Sequence, residues 1–233
     1  MSGSPGCFST PKSEFPKAPW GYDLIKRVLD VALSLGVLIF FSPLWIIISL
    51  AIRLTSPGPA IFRQSLAVGK NGRRMTVYKF RTMIQAKTDD AHREMITRFV
   101  KGDPLSYGMN DSAKRPVFKL ENHPRITPLG RILRKMGLDE VPQFWNVLRG
   151  EISIVGPRPS VTYEYELYND YQKLRLSVVP GITGLYQVTA RSHVPLDLMV
   201  EIDLDYIKRR SICLDLQIMI RTVWVMLTGK GAY

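Results

Sequence analysis

The sequence predicts an α+β fold, mainly helical, in which a broken apolar helix precedes a small domain carrying a β-hairpin and amphipathic helices. Three observations predict it. Residues 28–54 are apolar almost throughout but are interrupted by Ser42-Pro43. Two β-rich pieces, residues 60–68 and 75–80, flank Gly69-Lys70-Asn71-Gly72, and Asn-Gly between such pieces is the strongest short hairpin signal. Near the C-terminus, Ile212, Leu216, Met219, Ile220, Val223 and Leu227 form an apolar stripe at helical spacing.

The elements follow in order. Residues 1–21 contain Ser, Pro, Gly and Lys and few core-forming side chains, so they read as a flexible tail with no cleavable signal peptide. Residues 22–55 hold the broken helix. As one helix, the apolar run would reach about 40 Å, enough for a hydrocarbon core of about 30 Å. A proline in its middle removes a backbone bond and kinks or breaks the helix, and each half alone reaches only about 20 Å. Lys26 and Arg27 lie before the run and Arg53 and Arg63 after its centre, so the positive-inside rule puts both flanks on one side. The residues leave two geometries open, a re-entrant helix–break–helix hairpin and a kinked span.

Residues 56–233 form the remaining domain. Ser56-Pro57-Gly58-Pro59 is a turn and leads into the basic hairpin. A polar helix is predicted over 84–100, a polar loop over 102–122, and helices from about Leu129 and over 141–149. Residues 153–156 read as a strand running into Pro157-Arg158-Pro159, and 161–175 as helical. Residues 179–184 read as a turn, 185–189 as a strand, and 196–227 as two helices joined near Arg210. The last stripe is either core-facing or, with Arg221 and Trp224 beside it, interfacial.

The net charge of +12 points to anionic partners. Residues 31–88 contain no Asp or Glu, while Arg53, Arg63, Lys70, Arg73, Arg74, Lys79, Arg81 and Lys87 all fall there. This block begins inside the most apolar stretch, which favours an anionic bilayer over nucleic acid. Signatures of nucleic-acid recognition are missing, so no nucleic-acid partner is expected. Cys7 and Cys213 sit in unlike settings, which argues against a disulfide framework and for a reducing compartment.

The segment from Arg131 to Pro159 carries the chemistry. It sets Asp139 and Glu140 among Arg131, Arg134, Lys135, Arg149 and Arg158. Arginines hold phosphate oxygens, and acids bind a divalent metal or attack phosphorus. The same mixture also describes a solvated helix with surface ion pairs, and the segment alone leaves both standing.

Several motifs carry a family likeness: KRVLD at 26–30, SPGP at 56–59, Arg63-Gln64, VGKNG at 68–72, YKFRTM at 78–83, PRIT at 124–127, LDEVPQFWNVLRGEISIVGPRP at 138–159 and PGITGLYQV at 180–188. In this order they resemble the bacterial sugar transferases, the monotopic phosphoglycosyl transferases. The resemblance runs from about Tyr22 to Leu227. It implies transfer of a sugar-1-phosphate from a UDP-sugar to undecaprenyl (polyprenyl) phosphate, with UMP released. It also implies an Asp139-Glu140 pair working with Mg²⁺ (or Mn²⁺), both acids serving as metal ligands. It favours the re-entrant geometry, broken at Ser42 and Pro43, with the chain held at the cytoplasmic face of the bacterial inner membrane. On this reading 56–233 is a cytoplasmic catalytic domain with interfacial helices. The larger relatives' polytopic N-terminal region is absent, so a minimal catalytic form is expected, with a homodimer as one option.

The expected roles are specific. Asp139 is the nucleophile, since its carboxylate is ionised at neutral pH and needs no base. Glu140 ligates the metal or positions Asp139. Arg134 and Arg158 contact phosphate, the latter held on stiff backbone by Pro157 and Pro159. Gln187 and Arg191 touch the nucleotide, and Lys79 and Arg81 meet headgroups or the lipid phosphate. Asp203 is either a site acid or a helix-face acid near Lys208. Two departures from the family pattern are His123 before Pro124 and the loop 102–122, a candidate for sugar choice. A basic membrane scaffold without catalysis is the competing reading.

Overall fold

The computed structural model describes residues 15–84, 90–102, 125–190 and 194–228. Most of the N-terminal tail with Cys7, the greater part of the 102–122 loop, His123, Pro124 and Arg191 lie outside the described residues. Cys213 is an exposed free thiol.

The apolar run forms two helices, α1 (Tyr22–Phe40) and α2 (Ser42–Thr55), bent by 62°. The bend falls where the sequence placed it. Pro43 has no N–H to donate and sits in the first turn of α2, while Ser42 Oγ donates to the Ile39 carbonyl at 2.8 Å. Among the described residues no single helix is long and apolar enough to cross a membrane; the bent pair passes that test together, by length and composition.

One face of α1 is tied to the rest of the fold by polar side chains at helical spacing. Arg27 donates to the Val147 and Leu148 carbonyls at 2.6 and 2.7 Å. Asp30 accepts from Ile154 N at 3.0 Å. Asp215 receives Tyr22 Oη at 2.9 Å, Lys26 Nζ at 2.7 Å and Tyr206 Oη at 2.8 Å. Beyond Ser34 these ties stop, and Leu35, Ile39, Phe40, Phe41, Ile46, Ile47, Leu50 and Leu54 are exposed. In α2 only Ile48 and Ile52 are buried, against Ala60, Phe80 and Leu133.

Strands β1 (Ile61–Val68) and β2 (Arg74–Phe80) form the expected hairpin, with Phe62 facing Lys79 and Arg63 facing Tyr78. Asn71 and Gly72 both take positive φ, 54° and 75°, as a tight hairpin turn needs. Helix α3 (Asp90–Val100) matches the polar helix; α4 (Pro128–Lys135) and α5 (Gln143–Leu148) follow. Strand β3 (Ser153–Val155) leads to β4 (Ser160–Val161), which pairs antiparallel with the far end of β1. Short helices α6 (Thr162–Tyr165) and α7 (Asp170–Lys173) account for the helical reading of 161–175.

Two sequence expectations are corrected. Residues 181–183, read as turn, form β5 (Gly181–Thr183), which pairs in parallel with β3. Residues 185–189, read as a strand, form helix α8 (Leu185–Thr189). Helices α9 (Leu196–Arg209) and α10 (Ile212–Thr228) are as predicted. Helix α10 buries Asp215 and Ile218, while Leu216, Ile220, Val223 and Trp224 of or beside the stripe point outward. The main core joins Val147, Ile152, Val155, Tyr165, Leu176, Val200 and Ile207.

Candidate active site

Asp139 and Glu140 sit in a 3-10 turn, Leu138–Glu140, between α4 and α5. Gly137, at φ 67°, ends α4 and turns the chain back. Leu138 and Val141 then pack into the cluster of Ile48, Ile52, Ala60, Phe80 and Leu133. The turn is thus pinned on both sides by apolar anchors, and the two acids between them diverge by about 120°. Asp139 is buried and Glu140 partly so.

Lys79 of β2 reaches this turn, and Arg134 of α4 is held by the residues that follow β2. Lys79 Nζ donates to Glu140 Oε1 at 3.3 Å. Arg134 Nε donates to Thr82 Oγ1 at 3.1 Å, and its NH2 approaches Met83 Sδ at 3.5 Å. Helix α4 is held tightly against the end of β2: a Cβ on Gly130 would collide with the Thr82 backbone. Its start is capped by Thr127, whose Oγ1 accepts from Gly130 N at 2.9 Å. Thr82 went unremarked in the sequence reading; its signal is its place between Arg81 and Met83 in the YKFRTM run.

Arg81 departs from its expected role. Its side chain is 4% exposed, and NH2 donates to the Ser56 carbonyl at 2.7 Å and to Ser56 Oγ at 2.8 Å. A guanidinium locked under the 56–59 turn joins α2 to the hairpin and does not face a headgroup. Gly58, at φ 111°, lies so close that a Cβ there would run into Arg81 NH1.

A second group lies after β3. Pro157 is buried and its carbonyl accepts from Gly181 N at 2.8 Å, beside β5. Gly156, Gly181 and Gly184 come so near each other that a Cβ on any of them would strike backbone. This contact sets the start of α8, and with it Gln187, next to Pro157-Arg158-Pro159. Gln187 Nε2 donates to the Ile182 carbonyl at 3.1 Å. Arg158 is half-buried, and its charge opposes the effect of burial on Tyr186, whose pKa burial pushes up to about 12.

Asp203 is not the exposed helix-face acid that was one of its two sequence readings. It lies under this group, 1% exposed, and takes Arg175 Nε at 2.9 Å and NH2 at 2.6 Å. Burial pushes its carboxyl up and Arg175 pulls it back. Burial opposes the charge on Arg175, but Asp203 and nearby Tyr168 and Glu164 more than offset that. Arg175 NH1 donates to Tyr168 Oη at 3.0 Å, which donates to Glu164 at 2.6 Å. The network is a brace beneath Arg158, and no sequence signal marks a pair 28 residues apart.

Two adjacent carboxylates suit Mg²⁺, which takes one or two protein carboxylates and fills its shell with water and substrate phosphate oxygens. Among the described residues no group of three or more His, Cys, Asp or Glu gathers to make an all-protein cage. The donor set therefore fits a cation that arrives with, or is completed by, a phosphorylated substrate.

The site is an acidic turn with Lys79 and Arg134 beside it, packed against α2 of the bent apolar helix pair. The chain belongs to the bacterial sugar transferase family, whose model matches residues 21–229. It is similar to the galactosyl transferase CpsE of Streptococcus agalactiae, with 41% identity over 90% of this chain and 43% of the relative. Similarity is 38% to the undecaprenyl-phosphate galactose phosphotransferase of Salmonella typhimurium, over 90% and 42%. It is 37% to the exopolysaccharide production protein ExoY of Rhizobium meliloti, over 90% and 88%. The chain thus spans less than half the length of the first two and most of the third.

Proposed function

We propose that the protein transfers a sugar-1-phosphate from a UDP-sugar to undecaprenyl (polyprenyl) phosphate, an early membrane step in building an exopolysaccharide or related glycan. The observation that carries this reading is the buried Asp139 beside Glu140 and Lys79, held by apolar anchors next to Arg134. The Salmonella relative named above supports the acceptor and the reaction class.

The mechanism follows from the side chains. An Asp139 carboxylate oxygen attacks the β-phosphorus of the donor. The bond from that phosphorus to the bridging oxygen breaks, and UMP leaves with the electron pair. The sugar phosphate is then held on Asp139 as a mixed anhydride. An oxygen of the lipid phosphate attacks the same phosphorus and the Asp139 carboxylate is released, so the kinetics are ping-pong. Repulsion between anions is the main obstacle. Arg134 and Lys79 lower it from the protein side, and Arg158 with Gln187 orients the nucleotide. Asp139 and Glu140 would hold Mg²⁺, which when bound cancels charge on the diphosphate.

The exposed apolar residues indicate how the acceptor is met. Ile39, Phe40, Phe41, Ile46 and Ile47 at the bend, together with Ile220 and Trp224 on α10, Ile132 on α4 and Met136 just after it, are exposed. Gly137 lies against Met226 of α10, so the last turn of α10 adjoins the acidic turn. The bent pair enters one leaflet and returns, from the cytoplasmic face, and the outward sides of α4 and α10 rest in the interface.

The test is a panel of UDP-sugars scored for UMP with and without undecaprenyl phosphate. Wild type releases UMP with at least one sugar and retains labelled sugar phosphate on the protein when acceptor is withheld. Asp139→Asn does neither. Full activity in that variant would overturn the assignment, and a wild type inert with every sugar and acceptor would leave the scaffold reading.

A further inference from the structure

A groove of about 890 Å³ runs between α2 and the start of β1, away from the acidic turn. Arg53 and Arg63 are its charged lining residues, set among Trp45, Ile46, Leu50 and Ile61. From Arg53 to Ile46 is two turns of α2, about 10 Å along the helix axis. Arg53 lies where α2 leaves for the 56–59 turn, and Ile46 lies back towards the bend.

Neither guanidinium has a hydrogen bond or ion pair with any described residue. No carboxylate occurs in residues 31–88 to neutralise them. Two exposed arginines in an otherwise apolar trough complement an amphiphile with a phosphate head and a hydrocarbon stem. A soluble nucleotide has no use for the apolar part, and a plain hydrocarbon none for the arginines.

The position selects among phosphate amphiphiles. Arg63 faces Tyr78 across the hairpin, and the next residue of β2, Lys79, donates to Glu140. Neighbouring strands lie about 4.8 Å apart and side chains alternate between faces, so the Arg63 backbone stands one strand away from β2, whose Lys79 reaches the acidic turn from the other face of the hairpin. We infer that this groove seats the polyprenyl phosphate acceptor, its isoprenoid stem along Trp45, Ile46 and Leu50 and its phosphate between Arg53 and Arg63, before the phosphate moves to the acidic turn. This rests on the transfer reading above and adds to it a place and two recognition residues.

Two variants test it in the full-length protein in nanodiscs. Arg53→Ser with Arg63→Ser removes the phosphate hold, and Ser49→Trp fills the groove from α2, where Ser49 lines it. In each, the KM for undecaprenyl phosphate rises tenfold or more while the KM for the nucleotide sugar moves less than twofold. Saturable quenching of tryptophan fluorescence by undecaprenyl phosphate is lost in the arginine variant. An acceptor KM within twofold of wild type in both variants overturns the inference. So does activity that follows the anionic phospholipid content of the nanodisc in wild type but not in the arginine variant, with acceptor KM unchanged, since that assigns the groove to bulk lipid. A wild type that never releases UMP but binds undecaprenyl phosphate, with binding lost in the variants, sinks the transfer reading and keeps the groove.

Discussion

Lys79 Nζ meets Glu140 Oε1 at 3.3 Å across 61 residues of sequence, joining the hairpin to the acidic turn. Both side chains are about a quarter exposed, so the pair contributes only about 0–1 kcal/mol to stability. Its value lies in orientation. Lys79→Met is expected to lower kcat by about 10–100-fold, in the range of a lost electrostatic contact. The thermal midpoint is expected to move by no more than about 4 °C. Steady-state UMP release and a melting curve on the same preparation check both. A large stability loss with kcat preserved would make the pair structural instead.

The Arg175–Asp203 pair should behave in the opposite way. Both side chains are 1% exposed, and removing one partner leaves an uncompensated buried charge. Asp203→Ala is expected to cost about 3–5 kcal/mol, a drop of about 10 °C in thermal midpoint for a chain of this size. Joint replacement of Arg175 and Asp203 by Leu is expected to cost less than the single change, because no charge is stranded. Differential scanning fluorimetry in detergent reads the difference. If the double variant is as damaged as the single, packing rather than charge explains the loss.

Buried tyrosines make the fold sensitive to alkali. Tyr186 is pushed up to about 12 by burial, and burial also raises Tyr168 and Tyr206. A phenol with a raised pKa keeps its proton in the folded state after the unfolded chain has lost it. Its contribution is therefore complete below pH 10, the ordinary value, and is lost as pH climbs from 10 towards 12. Stability is expected to be flat from pH 8 to 9.5 and to fall above 10. Tyr186→Phe should shallow that fall, as read from urea midpoints at pH 8 and pH 11.

What sequence could and could not reveal divides by the range of the determining contact. The hairpin was legible because Asn71 and Gly72 encode its turn locally. The break at Ser42-Pro43 was legible because proline acts on its own helix. The β5 strand was not, since three residues acquire strand geometry only by pairing with β3, and 185–189 misled because Tyr186, Val188 and Thr189 favour strands while Gly184 and the Gly156 backbone start a helix there. Asp139 and Glu140 were found as a pair, but the 3-10 turn that separates their directions depends on Leu138 and Val141 finding α2 and Phe80. Arg81 misled for a related reason: its charge was visible, and its burial under Ser56 was not.

The tie between α1 and the domain gives a last prediction. Tyr22, Lys26 and Tyr206 converge on Asp215, which is buried on α10. With Arg27 and Asp30, this carboxylate sets how α1 leaves the domain. Asp215→Ala strands Lys26, whose side chain is 15% exposed, and removes the acceptor for two tyrosine hydroxyls. Losing charge-assisted bonds of this kind costs about 1.5–3 kcal/mol each at most. Two of the three donors sit on α1, so the expected effect is largest there: faster amide exchange across residues 22–34, with exchange in β3 unchanged. Lys26→Met should reproduce part of the effect. Uniform acceleration through β3, α9 and α10 would show instead that Asp215 supports the whole core.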